Sequence, residues 1–131
     1  MSLANDSLLL ALANSGYTNQ EVTAPNASSQ TTAIRVSEQV IRVIAGVANG
    51  SVVLPSILSG ETGSLPLGWV VNDSPNTIKL FSASGESMNG VLNASLSISS
   101  GAAAFYYKEP ATTGKGGGTT GTTNWHANSV S

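Results

Sequence analysis

The stretch from Val70 to Tyr107 constrains the fold of this 131-residue chain more than any other part of it. It reads VVNDSPNTIKLFSASGESMNGVLNASLSISSGAAAFYY, so short runs of β-forming residues alternate with turn residues at close intervals. β-Branched and aromatic residues favour strands, and clusters of Asn, Asp, Ser, Gly and Pro favour the turns between them. This pattern predicts a compact all-β domain.

Residues 39–55 predict a β-hairpin. Two apolar runs, at 40–44 and 51–54, flank Asn49-Gly50, the kind of dipeptide that type I′ hairpin turns prefer. Pro55 closes the second strand, because proline cannot donate a hydrogen bond to a sheet.

Residues 92–98 show the most regular strand pattern in the chain. Leu92, Ala94, Leu96 and Ile98 alternate with Asn and Ser, so one face of this strand is expected to meet the core. With the β-rich runs at 67–71, 77–81 and 102–107, the pattern gives roughly six to eight strands. That number, with close turns, is typical of a β-sandwich or barrel of the jelly-roll type.

The first 32 residues differ in composition from this β-domain, which we expect to span 33–109. Residues 1–16 predict a short helix or ordered arm with a leucine-rich face, and 17–32 an extended connector. So short a helix is marginal in water. We therefore expect its leucines to dock, either on the domain's own sheet or on a neighbouring subunit.

Residues 110–131 predict a Gly/Thr-rich C-terminal extension. Its first part, PATTGKGGGTTGTTN, is of low complexity and resembles a flexible linker. Trp125 follows it. A large aromatic side chain at that position either belongs to a last strand that closes the sheet or anchors a partner, and the sequence leaves both alternatives open.

Charge is sparse, which bears on possible partners. The net charge is −2 and only 9% of the residues are charged, against about 25% in an average domain. The five basic residues are scattered, whereas nucleic-acid binding needs clustered Lys and Arg. We expect no nucleic-acid partner. No apolar run reaches about 18 residues, so we expect no membrane span, and the leucine run lacks the basic flank of a secretory signal.

The residues that carry chemistry are few. The chain has no cysteine and one histidine, His126, so a catalytic triad or a histidine-based zinc site has no second member. His126 is expected to be a solvated surface residue. The carboxylates considered as a catalytic pair fall in separate loops or strand ends; they are Glu61, Asp73, Glu86 and Glu109. We expect no catalytic site, no cofactor and no metal.

An ordered set of short motifs resembles the small β-module of tailed-bacteriophage virion proteins, found in capsid cement (decoration) proteins and in tail or head fibres. The resemblance covers roughly residues 51–109, and Trp125 stands where the module often ends in Gly-Thr-Trp. The motifs, in chain order, are VVLP from Val52, GWVVND from Gly68, TIKLF from Thr77, ASGESMNG from Ala83, ASLSI from Ala94 and GAAA from Gly101.

The resemblance implies a non-catalytic capsid cement protein on the capsid exterior of the virion. Its partners are then the major capsid protein and its own copies, expected to form a homotrimer where capsid subunits meet. The side chains expected at the partner interface are Leu8, Leu9, Leu12 and Trp125. The alternative is a tail or head fibre module that binds a host-surface glycan or receptor through exposed aromatics, for which Trp69, Tyr106 and Tyr107 are the candidates.

Overall fold

The computed structural model describes residues 19–25, 28–57, 67–109, 112–113, 119–120 and 123–130. All regular secondary structure within these ranges is β-strand, so the all-β prediction is confirmed. The predicted N-terminal helix or arm at 1–16 lies outside the described residues.

Thirteen strands form within the described ranges. They are β1 (Asn19–Ala24), β2 (Ile34–Arg35), β3 (Val40–Gly46), β4 (Gly50–Val53), β5 (Leu67–Asn72), β6 (Ile78–Phe81), β7 (Ser87–Met88), β8 (Val91–Leu92), β9 (Ser95–Ile98), β10 (Ala103–Lys108), β11 (Thr112–Thr113), β12 (Thr119–Thr120) and β13 (Asn124–Val130).

Two sheets built from these strands pack face to face. In the described part of the chain, sheet A has the order β1-β3-β5-β10-β13-β7-β8, and sheet B has the order β2-β4-β6-β9. The short strands β11 and β12 pair with each other as a separate ribbon. The architecture is a β-sandwich, as predicted.

The first six strands alternate between the two sheets. Odd-numbered strands β1, β3 and β5 are parallel neighbours in sheet A, and even-numbered β2, β4 and β6 are parallel neighbours in sheet B. A parallel pair needs a crossover connection, and here each crossover contains a strand of the opposite sheet. Jelly rolls are built from antiparallel strands, so the jelly-roll connectivity that we predicted is not confirmed.

The main core lies between the two sheets. Sheet A supplies the inward-facing side chains of β3, β5, β10 and β13, and sheet B supplies those of β4, β6 and β9. Burying one large apolar side chain contributes roughly 1.5–3 kcal/mol. The largest buried side chains include Trp125, Tyr106, Ile41, Leu54, Ile78, Leu80, Met88 and Ile98.

The predicted hairpin at 39–55 is wrong. Its two arms, β3 and β4, lie in different sheets and each pairs with other strands. A type I′ turn needs positive φ at both central residues, whereas Asn49 has φ 59° and Gly50 is absent from the positive-φ glycines. Asn49 instead donates its N–H to the Thr77 carbonyl in the turn before β6, so this segment carries the chain from one sheet to the other.

The second Asn-Gly dipeptide, predicted only as part of a loop, forms the two-residue turn. Asn89 and Gly90 have φ 51° and 81° and join β7 to β8, with Ser87 opposite Leu92. The regular 92–98 pattern is therefore split, since β8 lies in sheet A and β9 in sheet B. Leu92, predicted to face the core, is 62% exposed.

The sandwich extends beyond both of the predicted boundaries at 33 and 109. Strand β1 lies in the segment predicted as an extended connector, and β13 lies in the predicted C-terminal extension. β13 pairs with β10 on one side and with β7 on the other. The sequence left open whether Trp125 belongs to a last strand or anchors a partner, and the structure places it in strand β13.

Candidate functional site

The outer face of sheet A, which points away from sheet B, carries a group of aromatic side chains. Strand register places Leu67, Tyr107 and His126 side by side on β5, β10 and β13. The next line across the same strands is Trp69, Phe105 and Asn128. Successive residues of a strand point to opposite faces, so these six side chains share one surface.

Four rings on this face form a continuous series, which we call the aromatic row: Trp69, Phe105, Tyr107 and His126. Ring centroids are 5.0 Å apart for Trp69–Phe105, 5.8 Å for Phe105–Tyr107 and 4.9 Å for Tyr107–His126. The last pair is stacked, with 18° between the planes. Trp69 and Phe105 are half-buried, and Tyr107 is exposed.

A small apolar cluster supports the Trp69 end of the aromatic row. Val40, Val71 and Ala103 lie on the outer face of β3, β5 and β10 and are buried, and Trp69 packs against them. Aromatic and β-branched cross-strand pairs each contribute roughly 0.2–1 kcal/mol to sheet stability. The Trp69 end of the row is therefore held in place, whereas Tyr107, next to His126 at the other end, is exposed.

Charged groups lie beyond the supporting cluster. Arg42 on β3 donates from Nε to Asp73 Oδ2 at 2.5 Å, and its Nη1 lies 3.7 Å from Glu21 Oε2. The Asp73 side chain is 4% exposed and that of Arg42 is 31% exposed. Asp73 Oδ1 is buried and has no hydrogen-bond partner among the described residues. Asp73 therefore depends on Arg42 for compensation of its charge.

At the other end of the row, His126 Nε2 lies 3.2 Å from Glu109 Oε1. Both side chains are about one-third exposed. His126 is thus a stacked and hydrogen-bonded residue, whereas the sequence predicted a solvated one. Asp73 follows β5 and Glu109 follows β10, and these strands are antiparallel. The two carboxylates therefore lie at opposite ends of the sheet.

A second surface is the edge hairpin, residues 87–92, which comprises β7, the Asn89-Gly90 turn and β8. Val91 and Leu92 are 60% and 62% exposed, the highest values for large apolar side chains in the described part of the chain. β8 is the last strand of sheet A on this side within the described ranges.

Strand β13 fixes the edge hairpin in position. The Asn89 amide donates from Nδ2 to the Ala127 carbonyl at 2.9 Å and accepts from the Ala127 N–H at 3.0 Å. The backbone N–H of Asn89 donates to Trp125, and that of Gly90 donates to Asn124 Oδ1. Val91 and Leu92 therefore follow a turn that hydrogen bonds to β13 hold in position.

Glu86, considered in the sequence as a catalytic carboxylate, is fully buried just before the hairpin. Its carboxylate accepts hydrogen bonds from Ser56 Oγ at 2.8 Å and from the Ile57 N–H at 2.9 Å. These contacts tie the segment after β4 to the start of β7. The arrangement indicates a structural role for Glu86.

The predicted interface residues have different outcomes. Leu8, Leu9 and Leu12 lie outside the described residues. Trp125 is fully buried and its ring contacts Tyr106, so its side chain offers no surface to a partner in this fold.

The three aromatic residues expected to be exposed also have different outcomes. Trp69 and Tyr107 lie on the outer face, but Tyr106 is fully buried on the opposite face of β10, so its predicted exposure is wrong. The sequence analysis missed Phe105 and His126. Alternation along β10 was the available signal for Phe105, since residues 105 and 107 must share a face.

The described residues hold neither a cluster of metal ligands nor a membrane-spanning helix. They contain no group of three or more His, Asp or Glu side chains placed to hold a metal ion. No helix long and apolar enough to cross a membrane occurs among them.

Comparisons with protein-family models, with curated proteins and with solved structures give no match to this chain.

Proposed function

We propose that this chain is a capsid cement protein of a tailed bacteriophage, a non-catalytic module that binds the outer surface of the assembled major capsid lattice. The resemblance that motivates the proposal covers roughly residues 51–109, and in the structure this stretch contributes strands to both sheets of the sandwich. A protein that binds the assembled lattice, and not free capsid subunits, stabilises the lattice by mass action.

The observation that carries the proposal is the edge hairpin. Val91 and Leu92 are more than half exposed on a turn that four hydrogen bonds attach to β13. Sheet edges and exposed apolar residues are sites where proteins associate. We assign this edge to contact with a second copy of the chain in a homotrimer.

Contact with the capsid lattice is assigned to the N-terminal arm. Leu8, Leu9 and Leu12 supply a run of apolar side chains with little charge nearby. Trp125 is withdrawn from the predicted interface because it is fully buried. The lattice contact then combines apolar anchors with a rim of Ser, Thr and Asn, a composition that protein interfaces tolerate well.

Labelling of particles tests the location. Virus particles purified from a culture that produces the chain are decorated with an antibody raised against it and viewed by electron microscopy. The proposal expects label over the whole head. Label confined to the tail, or no labelled particles, would overturn it.

Binding of the purified chain to empty heads that lack it tests the two contacts separately. Deleting residues 1–16 should abolish co-sedimentation with heads but leave the circular dichroism of the β-sandwich unchanged, because β1 begins at Asn19. V91S/L92S should lower the molecular mass in sedimentation velocity from trimer to monomer. Y107A, which changes the outer face, is the control and should alter neither head binding nor the molecular mass. Full head binding by the truncated chain would contradict the arm assignment.

A tail or head fibre module that binds a host glycan is the second candidate. The placement of Trp69 and Tyr107 together on the outer face favours it. The labelling experiment separates the two, since a tail fibre module gives label at the tail and a head fibre gives sparse label at fixed points on the head.

A further inference from the structure

We propose that the aromatic row is a binding site for neutral carbohydrate. The inference deepens the glycan-binding alternative by naming the site and the class of sugar, and it holds wherever the chain sits on a particle. The four rings of the aromatic row cross β5, β10 and β13, and successive ring centroids are 5.0, 5.8 and 4.9 Å apart.

The row has the two components that a sugar ring requires. Aromatic faces carry partial negative charge, so they attract the C–H groups on the apolar face of a pyranose. Hydroxyl groups at the rim of the sugar need donors and acceptors. The His126 imidazole and the Glu109 carboxylate lie at the exposed end of the row, and Asn128 lies opposite Phe105.

Pairing between strands accounts for the rings only in part. Trp69 and Phe105 are half-buried and support the sheet. Tyr107 is different, because it is 38% exposed although it stacks on His126. An exposed ring beside hydrogen-bonding groups matches the usual composition of small-molecule sites, which combine aromatic surface with a few placed polar groups.

The charge on and around this face selects the class of ligand. Glu21, Asp73 and Glu109 contribute three carboxylates, and Arg42, which pairs with Asp73 and Glu21, contributes one guanidinium. Together these four groups carry a net charge of −2. A phosphate or an acidic sugar at the exposed end of the row would lie beside the Glu109 carboxylate, which repels it. A neutral, hydroxyl-rich ligand avoids this repulsion and still uses the rings.

Affinity electrophoresis tests the proposal with the full chain. The protein is run through native gels that contain soluble mannan, galactan or glucan, and its mobility is compared with that in a gel without polysaccharide. We expect retardation by at least one of these neutral polymers. Y107A should weaken the interaction about tenfold, the size expected for loss of one ring contact. Y107F, which keeps the ring, should bind like the wild type.

Fluorescence gives a second measurement, made first on the wild-type protein. Trp125 is fully buried, so a change in emission on adding the retarding polysaccharide to the wild-type protein is expected to arise from Trp69. W69F should remove the change. Failure of all three polymers to retard the protein, or equal retardation of Y107A, would each overturn the proposal.

The result is independent of capsid binding. V91S/L92S leaves the aromatic row intact and should keep its sugar affinity, whereas Y107A should keep its binding to empty heads. Failure of sugar binding is therefore distinguishable from failure of the capsid assignment.

Discussion

The indole ring of Trp125 lies 5.6 Å from the phenol ring of Tyr106, and the two planes meet at 78°. Both side chains are fully buried on the inner face of sheet A. Edge-to-face aromatic pairs of this kind contribute about 0.5–1.5 kcal/mol beyond the area that they bury. The pair joins β10 to the last strand, β13.

Replacing Tyr106 by Phe should change how stability depends on alkaline pH. Burial raises the pKa of the Tyr106 phenol far above its ordinary value of 10.0. Well below pH 10 the phenol is neutral in both the folded and the unfolded chain, so its protonation does not affect stability. At higher pH the unfolded chain loses this proton while the folded chain keeps it, so the free energy of unfolding falls as pH rises.

Y106F should remove this part of the alkaline decline, at a slope of up to about 1.4 kcal/mol per pH unit. At neutral pH it should change stability by about 1 kcal/mol or less, because the hydroxyl has no partner among the described residues. Urea denaturation at increasing pH measures both effects, with Y107F as the exposed control. An unchanged alkaline decline in Y106F would contradict the assignment.

Two glycine substitutions should differ in cost for a steric reason. A Cβ at residue 68 would overlap the Gln39 carbonyl oxygen and the Tyr106 ring, whereas one at residue 90 would meet open space. Overpacking typically costs 1–3 kcal/mol and occasionally more. G90A faces only its positive φ of 81°, a cost of about 1 kcal/mol. Urea denaturation should therefore rank G68A below G90A in stability, and the reverse order would show that β5 can move away from Tyr106.

Arg42 should matter more than Glu21 to the stability of the fold. R42A leaves the buried Asp73 carboxylate uncompensated, and we expect a loss of about 2 kcal/mol, reduced from the fully buried case because Arg42 is 31% exposed. E21A removes a 3.7 Å contact of an exposed side chain, worth about 0.5 kcal/mol or less. The double variant R42A/D73A should recover part of the R42A loss in chemical denaturation. No recovery would mean that Arg42 acts through packing alone.

Removing the Asn89 amide should loosen the edge hairpin. N89G keeps a residue that tolerates positive φ but loses both side-chain hydrogen bonds to Ala127. The expected loss is about 1–2 kcal/mol, with faster amide hydrogen exchange across residues 87–92. N128A, at an exposed position on β13, is the matched control and should exchange like the wild type. Wild-type exchange in N89G would show that backbone contacts suffice to hold the turn.

Local patterns predicted individual strands well. Residues 67–71, 77–81 and 102–107 were expected as strands and correspond to β5, β6 and β10. Each contains two or more β-branched or aromatic residues, and these preferences act over a few positions. The all-β class followed from the same information.

Strand pairing was not predictable in the same way. The dipeptide Asn-Gly occurs twice, yet only Asn89-Gly90 adopts positive φ at both residues. At Asn49-Gly50 the alternation of strands between two sheets overrides the turn preference, because β3 is paired in parallel with β1 and β5. Those partners are distant in the sequence, so no short window contains the deciding interaction.

Only part of the candidate site was predicted, and the rest was missed for a related reason. Alternation places Phe105 and Tyr107 together and Tyr106 opposite them, but both faces of this strand are apolar. Which face becomes the interior depends on sheet B, which a period-2 pattern does not describe. Trp69 and Tyr107 were therefore named as exposed together with Tyr106, which is buried.

The order of strands has a consequence for the timing of synthesis. β7 joins the rest of sheet A through β13, which begins at Asn124 and is therefore synthesised more than thirty residues after the edge hairpin, which ends at Leu92. Until residues 124–130 emerge, Val91 and Leu92 are attached to a turn that lacks its anchor. A nascent chain therefore cannot present a fixed apolar edge before translation has passed β13.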